Sequence, residues 1–306
     1  MDAVSKNTKV SVVIVSYNVI ELLRKCLLSL VEFSECELDT WVVDNNSSDG
    51  SLEMVKENFP MVHVIENKYN AGFPAANNQA LAKCTGDYIF LINPDAELLS
   101  DSISDFIKFS KTKHDSCIIA PQLLNTDRSM QFSIMRFIHV WEIVLEVFYL
   151  HHLLKKAKSY YKKLGMQPMK VEAVSGAAIF FHRGVMNKIG MLDEELFWTE
   201  DMEYCYRAYR NGIDRYYLPE VKIIHHVGQS GKKNLDVMIS NQVLSKIRYF
   251  YKTHGAISGI IVSSARFIHI ITRIVLLYVM SILQFRYSKK AHAYVFTLKR
   301  YLAGNF

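Results

Sequence analysis

Several things are missing from this 306-residue chain, and each absence removes a class of protein. No GxG occurs anywhere, which excludes the usual dinucleotide fingerprint and the P-loop, so any nucleotide must be held another way. The five cysteines, Cys26, Cys36, Cys84, Cys117 and Cys205, are odd in number, scattered and never spaced as CxxC. Neither a disulfide framework nor a zinc site follows from them, and a reducing, cytoplasmic compartment is expected. The apolar run in "MDAVSKNTKVSVVIVSYN" is too short for a signal peptide and no small-residue cleavage site follows it. The expectation is a chain that starts and stays inside the cell. No internal repeat or low-complexity tract is present. Acidic residues are also missing locally, because no Asp or Glu follows Asp236, whereas ten Lys and Arg do.

That last absence organises the charge. Residues 1–236 hold 26 basic against 30 acidic side chains, so the tail supplies the formal net charge of +6. A second acid-free window, 147–171, carries Lys155, Lys156, Lys158, Lys162, Lys163 and Lys170. Both windows are rich in Tyr, Phe, Leu and Ile, which points to an anionic membrane surface and away from nucleic acid.

Half of the chain is apolar, enough for a full core. Short apolar runs at 10–16, 41–44, 62–65, 88–93 and 117–121 are expected strands, separated by helical segments such as "VIELLRKCLLSLVEF". Near-continuous apolar strands alternating with helices imply a mixed, mostly parallel α/β sheet with helices on both faces. Ligands in such sheets sit outside the carboxyl ends of the strands. Beyond Gln122 the pattern predicts an amphipathic insertion over 136–164 with a lysine-rich end and a strand within 171–183. It then predicts a helix over 199–212, capped by Thr199 and stopped by Gly212, and two short strands around Pro219.

The tail segment 256–285 is long enough to span a bilayer, but Arg266 and Arg273 lie in its middle, each costing about 2.5–3.5 kcal/mol at a helix centre. Ser263, Arg266, His269 and Arg273 recur at helical spacing as a polar stripe. A helix lying in the membrane interface is the expectation, with a helix packed on the domain or on a partner copy as the alternative.

Three clusters can carry chemistry. In "FLINPDAEL" an apolar strand runs into Asn93, Pro94 and Asp95, and in "TWVVDNNSSDGS" Asp44 closes another. A lone acid after a strand is ordinarily a cap or turn residue. A Mg2+ or Mn2+ site, however, needs only one or two carboxylates beside phosphate oxygens. His225 and His226 end "VKIIHH", and imidazole suits Mn2+, so one of the pair is a candidate ligand. Glu200 and Asp201 in "WTEDMEYC" either complement the dipole of a helix start or provide a general base.

The ordered set "VSVVIVSYN", "VVDNNSSDGS", "NAGFPAANNQAL", "GDYIFLINPDAEL", "VSGAAIFFHR", "EDMEYCYRAYRNG" and "IIHHVGQS" resembles the inverting glycosyltransferases of family 2, with a GT-A fold. The resemblance covers residues 8–232 and is strongest to the rhamnosyltransferase-like branch that builds bacterial surface polysaccharides. It implies that Ser16, Tyr17 and Asn18 line a nucleotide pocket in which Asp44 accepts the N3–H of the base. Gly72 would let the chain approach the nucleotide, with Asn77 nearby. "NPD" stands where the family often has DxD, so that Asp95 holds Mn2+ or Mg2+ while Asn93 replaces the first Asp and touches the ribose. Asp201 matches the catalytic base, with Glu200 beside it, and His225 matches a metal position, with His226 adjacent. The implied donor is a dTDP- or UDP-linked sugar, dTDP-rhamnose before others, and the acceptor a lipid-linked or growing cell-surface glycan. The two basic apolar windows point to the inner face of the cytoplasmic membrane as the place of work, and a homodimer is a candidate assembly. On this basis residues 1–235 are expected to form a GT-A domain with a basic insertion at 136–170, while charge and periodicity alone make 236–306 a basic amphipathic tail.

A nucleotidyltransferase would share the alternation of strands and helices, but no Gly- and Arg-rich N-terminal loop is present to cradle a triphosphate. A membrane-bound scaffold would need the tail and not the acids and histidines.

Overall fold

The computed structural model describes residues 8–148, 150, 167–226, 235–284 and 286–304. The lysine-rich end of the expected insertion and the "VGQSG" segment lie outside the described residues. The chain divides into two compact units, one made of Met1–Arg136, Lys163–Glu195 and Glu200–Ser230, the other of Phe137–Lys162, Leu196–Thr199 and Gly231–Phe306.

The first unit is built on a mixed sheet. Strand β1 (Lys9–Ser16) pairs in parallel with β2 (Glu37–Asp44) and with β4 (Tyr88–Ile92), and β3 (His63–Glu66) extends the sheet in parallel from β2. Strand β10 (Ala178–His182) runs antiparallel between β4 and β6 (Cys117–Leu124), and β11 (Asp214–His225) pairs in parallel with β6. At the edge, β5 (Ala96–Leu98) and β8 (Met169–Lys170) both run antiparallel to β11. A small two-stranded sheet joins β7 (Ile134–Met135) to β9 (Ala173–Val174). Strands β4 and β6 are buried along their whole length, which is why they read as unbroken apolar runs.

The crossover helices are α1 (Ile20–Phe33), α2 (Ser51–Asn58), α3 (Phe73–Leu81) and α4 (Ser102–Thr112). Helix α1 buries Leu23, Cys26, Leu27 and Leu30, one stripe at helical spacing. Helix α4 is capped by Asp101, which accepts the amide of Ser104 at 3.2 Å. Its Phe106 stacks on Phe180 at 5.2 Å and tilts against Phe90 at 5.7 Å, filling the space between helix and sheet. Helices α6 (Arg183–Ile189) and α7 (Glu200–Arg210) follow β10, with α5 (Val140–Val147) in the other unit.

Two expectations need correction here. The segment around Pro219 is one strand, β11, and its register against β6 slips between Leu218 and Lys222. Proline lacks the N–H a ladder needs, so the strand bulges there and continues instead of breaking. The Thr199 hydroxyl, for its part, is buried with no hydrogen-bond partner among the described residues and so does not cap α7, although α7 does stop just before Gly212.

The second unit is helical. Helix α8 (Leu235–Leu283) is broken at Gly255 (φ 84°), and α9 (Arg286–Leu302) packs along it. The expected polar stripe faces inward. Arg266 is 1% exposed and its Nη2 lies 2.7 Å from the Glu146 carboxylate of α5, while the Ser263 hydroxyl meets the Tyr301 hydroxyl at 2.8 Å. His269 is buried beside the Tyr294 ring. Charges taken out of water must be paired, and the stripe is therefore the packing face of this unit. The outward face is the apolar one: Ile257, Ile260, Ile268, Ile271, Val275, Val279 and Ile282 are all exposed, and from Ile268 onward they recur at steps of three and four. By length and composition α8 is the one helix, among the described residues, able to cross a membrane.

Candidate functional site

The parallel strands β1, β2 and β4 end at the same edge of the sheet, and the antiparallel β10 begins there, because Ala178 pairs with Ile92. The candidate residues of the first unit collect at this edge.

Ser16 and Asp44 are register partners at the ends of β1 and β2. Both are buried, and the Ser16 hydroxyl and Asp44 Oδ1 have no hydrogen-bond partner among the described residues. The other carboxylate oxygen, Oδ2, accepts the amide of Ser47 at 2.9 Å. A buried acceptor left unmet costs about 1–3 kcal/mol, and a ligand N–H would relieve it. Tyr17 is exposed beside them. Asn18 takes a positive φ of 54°, and its side-chain oxygen accepts from the amide of Ser48 at 2.8 Å, tying the β1 turn to the β2 turn. Asp49 strengthens that tie, accepting from the amides of Ile20 at 2.9 Å and Ser51 at 3.1 Å. Partial burial would raise its pKa, but these bonds and that from the Ser51 hydroxyl outweigh it and hold the carboxyl below the usual range.

Gly72 enters α3 with φ 84° and ψ 163°, a conformation open to glycine, so backbone geometry alone demands it. Asn45 binds the same loop through its Oδ1, which accepts from Asn67 Nδ2 at 2.9 Å. Asn77 is buried and donates its amide to the Phe73 carbonyl at 2.8 Å, so its N–H secures the first turn of α3.

The "NPD" turn and the end of β11 meet. His225 Nε2 is 3.3 Å from Asp95 Oδ1 and 3.4 Å from Asn93 Nδ2, while its Nδ1 is 2.7 Å from Gln131 Oε1. An amide oxygen can only accept, which puts the proton on Nδ1 and turns Nε2 toward the carboxylate. The imidazole nitrogen and the carboxylate oxygen thus face each other across 3.3 Å. The donor set, one carboxylate and one imidazole, suits Mn2+ or Mg2+ completed by phosphate oxygens. Among the described residues no group of three or more His, Cys, Asp or Glu comes together to hold a metal alone.

His226 does not join this pair. Its Nε2 is 2.6 Å from Glu97 Oε1 and its Nδ1 2.9 Å from the Thr126 hydroxyl, so both ring nitrogens are engaged elsewhere. Successive residues leave a strand end in different directions, and that separates the two rings.

Asp201 lies in the first turn of α7. Oδ2 accepts the amide of Gly176 at 2.9 Å and Oδ1 that of Met202 at 2.7 Å. Burial of the carboxyl pushes its pKa up to about 6, against the lowering effect of those two bonds. Glu200 is half-buried beside it. The segment holding Asp201 is joined to the "NPD" turn, because Asn93 donates its amide to the Ala177 carbonyl at 2.9 Å. A carboxyl of raised pKa thus stands one short segment from the Asp95–His225 pair.

Sequence reasoning did not single out Gln131, Asn45, Asp49 or Gly176 individually. The last lay inside the quoted "VSGAA", where a Cβ would come within 3.3 Å of Asp201 Cβ. Gln131 sits in a polar turn without periodicity, and only the fold reveals its partner.

A mixed sheet of this order with acids at one edge is the GT-A architecture of nucleotide-sugar glycosyltransferases. Two solved structures share it: GalNAc-T7 with UDP, GalNAc and Mn2+ (TM-score 0.56, 17% identity, 79% of this chain and 50% of that one), and the mannosyltransferase PcManGT of Pyrobaculum calidifontis with GDP-Man and Mn2+ (TM-score 0.56, 15% identity, 97% and 88%). The chain thus matches half the length of GalNAc-T7. Residues 11–190 match glycosyl transferase family 2, and the chain belongs to that family. Among its curated relatives are the N-acetylglucosaminyl-diphospho-decaprenol L-rhamnosyltransferase of Mycobacterium tuberculosis, 23% identical over 72% of this chain and 76% of that protein, and the dTDP-rhamnosyl transferase RfbF of Shigella flexneri, 24% identical over 82% and 79%.

Proposed function

We propose that this family 2 glycosyltransferase is inverting and metal-dependent, and moves L-rhamnose from dTDP-rhamnose to a hydroxyl of a lipid-linked or growing cell-surface glycan. The observation that carries the reading is the raised-pKa carboxyl of Asp201 held one segment from Asp95 and His225. The relatives named as rhamnosyltransferases favour the sugar. Asp44 Oδ1 accepts the N3–H of the base, with the Ser16 hydroxyl beside it, and Tyr17 and Asn18 shape the rim. Thymine and uracil present the same N3–H, so a UDP-sugar is the alternative donor.

Asp95 and His225 would hold Mn2+ or Mg2+, which when bound neutralises the diphosphate leaving group as a Lewis acid. With a pKa of about 6, Asp201 is ionised at neutral pH and removes the acceptor hydroxyl proton. The freed oxygen attacks the anomeric carbon as the bond to the diphosphate oxygen breaks on the opposite side. A single displacement inverts the centre, and no sugar–enzyme bond is needed. Titration calorimetry with dTDP, UDP and GDP, each with Mn2+ and with a chelator, tests the reading. Metal-dependent binding of dTDP or UDP is expected, and binding of none overturns it.

The apolar stripe from Ile257 to Ile282, on a unit carrying no acid after Asp236, supports a peripheral place on the anionic inner face of the cytoplasmic membrane. A lipid-linked acceptor would be met there.

A further inference from the structure

We propose that Gln131 is a positioning residue that aims His225 at the metal, an inference that rests on Asp95 and His225 being the ligands. Gln131 grips His225 twice. Its Oε1 lies 2.7 Å from Nδ1, and its Nε2 donates to the His225 carbonyl at 3.1 Å, so one amide fixes both ring and backbone.

The amide cannot turn over. Its Nε2 also donates to Asn125 Oδ1 at 2.9 Å, which leaves only the oxygen facing the imidazole. Rotation would set the Gln131 oxygen against the His225 carbonyl and Asn125 Oδ1, both of them acceptors. The ring is therefore held with Nδ1 protonated and Nε2 presented to Asp95, whatever occupies the space between them. A ligating imidazole ordinarily has its second nitrogen fixed in this way.

Gln131 is itself held to the core. Its amide donates to the Leu123 carbonyl at 2.8 Å, and its carbonyl accepts from Gln122 Nε2 at 2.8 Å. Gln122 is buried and its Oε1 is met by the Tyr217 hydroxyl. The turn between them closes on itself, since Asn125 donates its amide to the Ser129 carbonyl at 2.8 Å. A rigid hairpin rooted in β6 thus carries the acceptor to the end of β11. The same hairpin brings the Thr126 hydroxyl to His226, which provides an internal control.

The test is Mn2+ affinity in the presence of dTDP, read from the electron paramagnetic resonance of free Mn2+ on the full chain. Thermal unfolding of each variant checks its fold. Gln131→Ala is expected to weaken Mn2+ binding about 10- to 100-fold. Gln131→Glu keeps the acceptor for Nδ1–H but sets an oxygen against the His225 carbonyl and Asn125 Oδ1, so it should recover only part of that loss, whereas Thr126→Ala should leave affinity near wild type. Nitrogen-15 spectra of the imidazoles should show His225 protonated at Nδ1 in the wild type and a tautomer mixture in Gln131→Ala. Weakening by His225→Ala but not by Gln131→Ala overturns the positioning role and leaves the metal reading standing. Equal weakening by Thr126→Ala assigns the effect to the hairpin at large and also overturns it. If His225→Ala itself leaves Mn2+ affinity unchanged, the ligand reading falls and this inference with it.

Discussion

Ser16 and Asp44 stand opposite each other in the parallel register of β1 and β2, and each brings a buried oxygen with no partner to the same strand ends. An isosteric Asp44→Asn change tests what that oxygen is for. With its oxygen kept on the Ser47 amide, the new NH2 would face the base and oppose an N3–H. Affinity for dTDP and UDP should fall about 10- to 100-fold, the worth of a hydrogen bond to a charged group. CDP, whose N3 accepts, should lose less. Calorimetric titration of the three nucleotides decides it, and equal losses would remove Asp44 from base recognition.

Asp201 should set the acid limb of the pH profile. Burial raises its pKa to about 6, so the carboxyl is protonated and unable to take a proton below that pH, and ionised above it. The rate constant kcat/KM should rise with pH to a plateau, with a midpoint near 6. Asp201→Asn should abolish that limb and cost about 100- to 10,000-fold in kcat, with dTDP affinity kept.

At Gly176 the effect should be on rate more than on stability. An added methyl group would lie 3.3 Å from Asp201 Cβ and 3.4 Å from Oδ2, tight enough to move the side chain by tenths of an ångström. Gly176→Ala should lower kcat, by up to about 100-fold if Asp201 swings away from the acceptor, with KM for the donor near wild type. An unchanged kcat would mean that Asp201 accommodates the methyl in place.

The Glu146–Arg266 pair should make the helical unit sensitive to acid. Burial opposes ionisation of Glu146, but Arg266 and Lys246 prevail and lower its pKa to about 2. A depressed acid contributes stability above its unfolded value near 4.5, and that contribution is lost as pH falls toward 2. Glu146→Ala, which strands the buried guanidinium, should cost on the order of 3 kcal/mol at neutral pH, measured by denaturant unfolding. The difference from wild type should shrink in acid.

The apolar stripe should govern membrane binding. Ile260→Asp with Ile271→Asp puts charge on exposed positions and should not unfold the chain. Sedimentation with vesicles containing anionic lipid should show the wild type bound and the double variant released. If the variant instead stays bound while light scattering shows that wild-type dimers have become monomers, the stripe joins two copies and does not meet lipid.

Much of this was legible in the residues. Five strands and four crossover helices of the sheet announced themselves as apolar runs and helical spacings, because an element buried on both faces leaves little choice of residue. The acids at the ends of β2 and β4 were legible for the complementary reason: a carboxylate directly after a buried strand stands out. Periodicity also found the Ser263–Arg273 stripe, but it reports only that one face of a helix differs from the other. Which face turned inward depended on a carboxylate 120 residues away, Glu146, that no local pattern connects to Arg266.

The sequence by itself therefore determined the alternation of strands and helices, the strand-end acids and the basic character of the tail, since these rest on local burial and composition. Tertiary structure decided the pairings across long separations. It set His225 beside Asp95 and His226 beside Glu97, supplied Gln131 from a hairpin 94 residues away, and placed Gly176 against Asp201. A hydrogen bond needs its atoms within about 3 Å, a condition that distant segments meet only once the sheet has brought their ends together.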